Sequence, residues 1–489
     1  MFPTLDEAKN LAAQGYRRIP VSREIYADRF TPTEVMRILK HISRHCYMLE
    51  SAEDARQWGR YTFLGFDPTA ELTCKAGMLH IRASGAGFSE KVTHPGDAIR
   101  RLLAENHSPK IKGLPPFTGG LVGYFSYSYI GYAEPSLHLT RADAEFQDVD
   151  LMLFDKVIAF DHLRQKIILI AGARADDIET NYHKAAYELE QLANLIRTGT
   201  KHEPKPPHLK TPLTPLFSRE AYGEKIRRAQ HYIHEGDIFQ VVLSNPLEAE
   251  IEGSLFDVYR VLRTTNPSPY MFYFSSDDIE IAGASPETLA RLEDGKLFTF
   301  PLAGTRPRGR TDAEDLALEQ ELLADEKELA EHNMLVDLGR NDIGRISQLG
   351  TVKVEKYLGI ERFSHVMHIG STVTGQIRPD KDAVDAVDSI LPAGTLSGAP
   401  KLRACQIIDE LEGHERGIYG GAIGYLDFTG NLDTCIAIRL AYQKNGKVCV
   451  RSGAGIVADS VPDLEYQECL NKAKAVIRAI ETAQEGIDL

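Results

Sequence analysis

The sequence is poor in cysteine and tryptophan, with six cysteines and one tryptophan among 489 residues. The cysteines are scattered without a CxxC pair, which is typical of a reducing compartment and argues against a structural zinc site. No apolar run approaches the roughly 18 residues of a membrane helix, and the N-terminal segment lacks the apolar core of a signal peptide. We therefore expect a soluble, unexported, cytoplasmic protein.

An excess of positive charge is also missing, since the formal net charge is −14. This charge excludes the basic surface that binds nucleic acid or anionic membranes. Walker and dinucleotide-binding glycine motifs are absent as well. An anionic substrate would therefore need local arginines and backbone amides to bind it.

Two pairs of glutamates are the most informative feature that the sequence does contain. Glu328 and Glu331 lie in 322–338, where apolar residues recur at helical spacing, and Glu465 and Glu468 form the second pair. Residues three apart face the same side of a helix, so each pair presents its carboxylates together. Solvated helix faces are the commoner explanation of such pairs. Facing each other, however, the pairs would suit Mg²⁺, which prefers carboxylate and water oxygens.

The pattern of elements predicts an α+β architecture. Alternating strands occur in runs punctuated by helices, without steady βαβ alternation, which indicates large antiparallel sheets. A strand is expected at 351–357. The proline-rich stretch 201–215 is typical of a linker or surface crossing. It predicts two units, 1–215 and 216–489.

Three glycine-containing loops have the backbone amides to hold anionic oxygens, although each alone is more often a structural turn. They are 301–310 with three arginines, 392–401 at a helix start, and 452–455 at a strand end.

Six ordered segments carry a family resemblance. They are ELAEHNMLVDLGRNDIGR (328–345), HVMHIGSTVTG (365–375), PAGTLSGAPK (392–401), GIYGGAIGY (417–425), IAIRLAY (436–442) and RSGAGIVADSVPDLEYQECLNKA (451–473). Together they resemble the chorismate-utilising enzymes, and most closely the large subunits of anthranilate synthase. The resemblance covers 218–485, with weaker support further upstream. It implies two large, mostly antiparallel sheets flanked by helices, with the active site in the cleft of the chorismate-binding domain.

The resemblance also implies a metal and substrate site. Mg²⁺ would be bound by Glu331 and Glu468, with Glu328 and Glu465 supporting through water, and it would hold the ring carboxylate of chorismate. The substrate-binding residues carried over from the family motifs, with Lys472 added because it shares a helix face with Glu468, are Gly304, Thr305, Tyr419, Arg439, Gly453, Ala454, Gly455 and Lys472.

The implied reaction is amination of chorismate at C2, followed by elimination of pyruvate to give anthranilate, the first committed step of tryptophan biosynthesis. Glu287 matches the general acid, His368 the histidine tied to elimination, and Thr395 a pocket hydroxyl. His365 lies three residues before His368 but is not the histidine that matches the family motif.

Two positions distinguish among the enzymes of this family. Enzymes that add water place a lysine where this chain has Gln240, because water must be deprotonated before it attacks; ammonia already carries its lone pair. The subunit that makes aminodeoxychorismate has a lysine where this chain has Ala303. Gln240 and Ala303 therefore argue against isochorismate or salicylate synthase and against aminodeoxychorismate synthase component I. A catalytically silent regulatory or scaffold subunit is a more distant alternative, and it would have lost a glutamate ligand, the acid or the histidine.

Two partners follow from the resemblance. No cysteine lies in a glycine-rich elbow, so the ammonia would come from a glutamine amidotransferase subunit, component II of the complex. L-Tryptophan would act as an allosteric inhibitor. Its predicted site consists of two halves, namely Glu50 with Ser51, and Pro269 with Tyr270 and Met271.

Overall fold

The structure is a computed structural model that describes residues 1–51, 58–83, 85–139, 146–362 and 366–487. The helices of these residues are α1 Leu5–Ala13, α2 Pro32–Ile42, α3 Gly96–Glu105, α4 Ile130–Ala133, α5 Ile178–Thr198, α6 Arg219–His234, α7 Phe256–Thr265, α8 Asp312–Ala324, α9 Glu326–Gly344, α10 Ala383–Ile390, α11 Lys401–Glu412 and α12 Pro462–Glu485. None of the helices in these ranges has both the length and the apolar character to cross a membrane.

The strands of the first half are β1 Arg18–Tyr26, β2 Cys46–Glu50, β3 Tyr61–Phe66, β4 Ala70–Lys75, β5 Met78–Ala83, β6 Ala86–Lys91, β7 Gly120–Phe125, β8 Val149–Phe154, β9 Lys156–Asp161, β10 Lys166–Arg174, β11 His208–Leu209 and β12 Thr214–Pro215. Those of the second half are β13 Gln240–Glu252, β14 Tyr270–Ser275, β15 Ile279–Ser285, β16 Thr288–Glu293, β17 Lys296–Thr299, β18 Leu302–Pro307, β19 Lys353–Arg362, β20 Val366–Gln376, β21 Gly398–Ala399, β22 Ala422–Asp427, β23 Leu432–Ile436, β24 Leu440–Lys444 and β25 Lys447–Ile456.

These strands form two large antiparallel sheets, which confirms the predicted α+β class. The first sheet has 13 strands and runs β1-β10-β9-β3-β2-β14-β15-β24-β25-β13-β11, with β12 and β21 also paired to β13. The second has 12 strands and runs β18-β20-β17-β16-β23-β22-β7-β8-β4-β5-β6, with β19 paired to β20. Each sheet is continuous across residue 215. The division of the chain into 1–215 and 216–489 stays a prediction, and it does not separate the sheets.

The sheets face each other across an aromatic layer. Tyr47 of the first sheet meets Phe154 of the second with ring centroids 4.7 Å apart, and Tyr124 of the second meets Phe274 of the first at 6.2 Å. Helices α5, α7 and α12 contribute to the core on the outer face of the first sheet, and α3, α9 and α10 to that of the second. Strands covered on both faces are almost continuously apolar, as in β8 and β10.

The structure differs from the predicted bounds of one helix and one strand. The segment 322–338 was expected to be helical throughout, but α8 ends at Ala324 and α9 begins at Glu326. Asp325 caps α9 by accepting hydrogen bonds from the amides of Lys327 and Glu328, because a short carboxylate side chain competes well for such amides. The strand expected at 351–357 instead spans Lys353–Arg362. The proline-rich stretch contributes two short strands that pair with β13.

A buried charge cluster joins β13, β25 and the end of α11. Glu412 is 4% exposed, and its carboxylate accepts hydrogen bonds from Arg416 at 2.6 Å, from Arg451 at 2.6 Å and from the amide of Ser244 at 2.8 Å. Burial opposes the charge on Glu412, but the two arginines outweigh it and lower the pKa of this carboxyl to about 2. Arg416 also donates to the carbonyl of Leu396, so the cluster fixes the loop after α10.

Replacing this carboxylate should destabilise the protein strongly. We expect Glu412→Gln to lower the free energy of unfolding by about 3 to 5 kcal/mol, because it leaves two buried arginines without their counter-charge. Since folding lowers the pKa of Glu412, its stabilisation is present above the ordinary carboxyl pKa and is lost as the pH falls toward about 2. Urea unfolding measures both effects.

The matched control is Asp337→Asn, which removes an exposed ion pair with Arg340. Its effect should stay within about 0.5 kcal/mol. An equal loss in the two variants would contradict the role assigned to the cluster.

Candidate active site

A cavity of about 610 Å³ lies where β13 and β25 of the first sheet approach β18 and β20 of the second. Helices α9 and α12 form one wall. The predicted site residues that line it are Gln240, Glu287, Gly304, Thr305, Glu328, Glu331, His368, Thr395, Tyr419, Arg439, Gly453, Gly455, Glu465, Glu468 and Lys472. Ala454 lies between two lining glycines, but its side chain is buried in the core behind them. His365 lies outside the described residues.

Glu287 has the properties of a general acid. It follows β15, and its carboxylate accepts a hydrogen bond from the hydroxyl of Thr395 at 3.1 Å. Burial raises the pKa of Glu287 to about 7, although the Thr395 hydrogen bond and the charges of Arg439 and Lys472 oppose this shift. A substantial fraction of this carboxyl is therefore protonated at neutral pH.

The pKa of His368 is shifted in the opposite direction to that of Glu287. Its Nδ1 lies 2.8 Å from the carbonyl of Gly304 and 3.1 Å from the hydroxyl of Thr305. A carbonyl can only accept, so Nδ1 carries the proton and Nε2 is the acceptor nitrogen. Burial lowers the pKa of His368. A neutral imidazole in this tautomer can accept a proton in the cavity.

The four glutamates face the cavity from two helices. Burial raises the pKa of Glu331, and the neighbouring charge of Glu328 raises it further. Burial and the charge of Glu468 likewise raise the pKa of Glu465. Like charges thus crowd this wall, which favours a bound cation.

Two cationic side chains partly balance these carboxylates. Lys472 lies 2.7 Å from Glu468 and also donates to the carbonyl of Gly453, and Arg306 lies 3.7 Å from Glu328. Within the described ranges, no group of three or more His, Cys, Asp or Glu side chains is arranged to hold a metal ion. Mg²⁺ commonly takes only one or two protein carboxylates and completes its shell with water and substrate oxygens.

The glycine loops bring bare backbone to the cavity. Gly304 has a positive φ of 65°, and a Cβ there would lie 3.2 Å from the carboxylate of Glu328. A Cβ on Gly453 would lie 2.5 Å from the backbone oxygen of Leu243 and 3.1 Å from the hydroxyl of Tyr419, and one on Gly455 would lie 2.6 Å from the side-chain amide nitrogen of Gln240. Side chains at these positions would therefore collide with neighbouring residues of the cavity.

The sequence analysis missed two basic residues of the cavity, Lys327 and Arg451. Arg451 lines it, yet its guanidinium is bonded to Glu412 at 2.6 Å and stacks near Tyr419 at 5.8 Å. Its position directly before the loop 452–455 was the only available signal. Arg439, by contrast, was predicted, and its φ of 50° places it in the left-handed region between β23 and β24.

The predicted effector residues line a second cavity of about 340 Å³. Its two halves meet because β2 pairs with β14, with Glu50 opposite Met271. The carboxylate of Glu50 is already engaged by Arg263 and Tyr259, each at 2.5 Å. Ser51, Pro269 and Tyr270 lie beside it.

Comparisons with known proteins agree with this geometry. The family described as chorismate binding enzyme matches residues 44–478. "Anthranilate synthase component 1" of Acetivibrio thermocellus is 46% identical over 494 residues, covering 99% of both chains. The crystal structure of anthranilate synthase component I from Streptococcus pneumoniae TIGR4 has a TM-score of 0.75 and 38% identity, covering 85% of this chain and 92% of that chain. The menaquinone-specific isochorismate synthase of Escherichia coli, at 21% identity and a TM-score of 0.69 over 97% of this chain and 98% of its own, shares the fold.

The chain therefore belongs to the chorismate binding enzymes. Within them, its relatives over the full length are anthranilate synthase component 1 proteins.

The acid and its hydroxyl partner can be tested directly. Because the Thr395 hydrogen bond favours the charged carboxylate, Thr395→Val should raise the pKa of Glu287 above about 7, whereas Thr395→Ser should preserve it. Infrared titration of the protonated carboxyl band measures this, and Glu287→Gln assigns the band. A valine variant that titrates like wild type would show that this hydrogen bond does not tune the acid.

Proposed function

We propose that this chain is the synthase subunit of an anthranilate synthase, converting chorismate and ammonia into anthranilate and pyruvate. The observation that carries the proposal is the grouping of Glu287, His368, Gln240 and Ala303 around one cavity. The cavity thus contains an acid and a neutral base. It has Gln240 and Ala303 at the two positions where a lysine would indicate water addition or formation of aminodeoxychorismate. Full-length similarity to anthranilate synthase component 1 proteins supports it.

Amination needs an acid beside the leaving group. Ammonia forms a bond to ring C2, the two ring double bonds shift, and the C4–O bond breaks; the ammonium group formed on C2 then releases one proton to solvent. Protonated Glu287 donates its proton to the departing hydroxyl, which leaves as water. The pKa of about 7 allows this carboxyl both to hold a proton at neutral pH and to release it.

Elimination needs a base. Nε2 of neutral His368 takes the proton from C2, the C2–H electron pair forms the C2=C3 bond, and the C3–O bond breaks. Pyruvate leaves as its enolate, which gains one proton from solvent. The ring becomes aromatic. The carbonyl of Gly304 holds the imidazole in the tautomer that this step requires.

Binding of the dianionic substrate in an acidic protein relies on local groups. Tyr419, Arg439 and the amides of the loop 452–455 would hold the enolpyruvyl carboxylate. Glu331 and Glu468 would hold Mg²⁺, with Glu328 and Glu465 supporting. When bound, the cation supplies positive charge for the ring carboxylate and relieves the crowding of the glutamates.

Ammonia would come from a glutamine amidotransferase subunit. All six cysteines are buried, and burial raises the pKa of each of the five thiols at 46, 405, 435, 449 and 469. None of these is suited to act as the thiolate nucleophile that glutamine hydrolysis requires.

One assay tests the proposal. The purified chain with chorismate, Mg²⁺ and ammonium salt at mildly alkaline pH should form fluorescent anthranilate, and excess EDTA should abolish the signal. Glutamine in place of ammonium should give no product without the partner subunit. Isochorismate or aminodeoxychorismate as the product, identified by chromatography, would refute it.

The second cavity would bind L-tryptophan as a feedback inhibitor. It joins strands of both sheets, and Tyr270 in its wall donates or accepts a hydrogen bond with Thr288 at 2.9 Å. Thr288 directly follows Glu287, so a ligand that moves Tyr270 would act on the acid of the active site. Glu50, held by Arg263, would shape the cavity and orient Ser51.

This effector role predicts a separation of inhibition from activity. Ser51→Phe should fill the cavity, so that tryptophan inhibits at least about 10-fold more weakly while activity without tryptophan stays near wild type. Titration of both proteins with tryptophan measures this. Equal inhibition constants would place the effector elsewhere.

A further inference from the structure

A buried hydrogen bond links the helix of the first glutamate pair to the strand of His368. His332, directly after Glu331 on α9, is 0% exposed, and its Nε2 lies 2.7 Å from the hydroxyl of Ser371 on β20. His332 does not line the active-site cavity. Its Nδ1 is buried and has no hydrogen-bond partner among the residues that the structure describes, so the contact with Ser371 is the hydrogen bond that holds the ring there.

Ser371 is a junction of several segments. Its hydroxyl accepts a hydrogen bond from the amide of Leu358 at 3.1 Å, and its own amide donates to the carbonyl of Pro301 at 3.1 Å. Leu358 has a φ of 53°, in a left-handed conformation that disfavours a leucine, at a register shift between β19 and β20. Ser371 therefore holds a strained turn, the start of the Gly304 loop and α9 together.

The position of His332 in α9 makes its hydrogen bond to Ser371 important for placing the helix. Among the residues of α9, the buried ones begin at His332 and continue with Leu335 and Val336. In the first turns, Glu328 and Glu331 are only partly buried. His332 is thus the first fully buried residue after the carboxylates along α9.

We propose that His332 is a positioning residue that, through Ser371, sets the spacing between the α9 carboxylates and the strand carrying His368. This inference rests on the proposed function, in which the two sides act on one substrate. A displacement of about 1 Å between groups that act together costs on the order of 100-fold in rate. A hydrogen bond in the interior is strong enough to hold such a spacing, because little water competes for it.

The test is a double-mutant cycle between His332→Leu and Ser371→Ala. Each single variant should lower kcat about 10-fold with ammonia as substrate, and the double variant should be no slower than the slower single variant, because both remove the same contact. His332→Gln, whose amide reaches a similar point, should recover most of the rate. Losses that multiply in the double variant, or a glutamine variant as slow as leucine, would overturn the proposal.

The matched control is Val336→Ala, one turn along α9 and buried in the core. It should lower thermal stability by at least as much as His332→Leu but leave kcat within about 2-fold. An equal fall of kcat in the control would mean that destabilisation alone explains the effect. If His332→Leu does not fold, the kcat of Ser371→Ala is compared with that of Val336→Ala, and only the former should fall about 10-fold.

Amide hydrogen exchange separates this inference from the proposed function, since it needs neither metal nor activity. His332→Leu and Ser371→Ala should increase exchange in 326–332 to the same extent, and Val336→Ala should not reproduce that pattern. If wild type makes no anthranilate, the proposed function fails, while unchanged exchange in both variants would refute the tie itself.

Discussion

The pairing of Glu412 with Arg416 and Arg451 is the interaction on which the active site most depends. Two positive charges and one negative charge lie within the core, and each arginine also donates to backbone carbonyls. Such a cluster is costly to bury unless every donor is matched. Its strict geometry aligns β13, β25 and the turn at Leu396 behind the cavity, and the arginines face Tyr419. The substrate side of the cleft is thereby built on a rigid base.

Burial shifts the pKa values of the proposed acid and base in opposite directions. Because burial penalises charge, it keeps a substantial fraction of Glu287 protonated at neutral pH and favours the neutral form of His368. One cavity therefore contains a proton donor and a proton acceptor without needing a different environment for each. The carbonyl of Gly304 then fixes the tautomer of His368, and the hydroxyl of Thr395 partly offsets the raised pKa of Glu287.

Sequence patterns predicted those features that depend on nearby residues. The two glutamate pairs were placed on helix faces correctly, because helical periodicity is local. The break at Asp325 was missed although its capping contacts are also local, because the helical spacing of apolar residues in 322–338 continues across it. The glycine loops were found individually, but composition and spacing could not bring them to one cavity; family motifs were needed for that. Glu412 and the pair of His332 with Ser371 escaped notice because folding brings their partners from far along the chain. Arg451 is 39 residues from Glu412, Ser244 is 168 residues from Glu412, and Ser371 is 39 residues from His332.

The continuity of both sheets across residue 215 has a consequence for how the protein is made. Glu50 pairs with Met271 and Gly123 with Gly424, so strands synthesised early wait for partners more than 200 residues downstream. Until then β2 and β7 expose unpaired backbone edges beside apolar side chains, the kind of surface that adheres to other unfinished chains. High contact order of this sort slows folding. The second cavity is closed by these late pairings, and the active-site cavity is lined by residues as far along the chain as Lys472. Neither cavity therefore exists in a nascent chain until most of it has been translated.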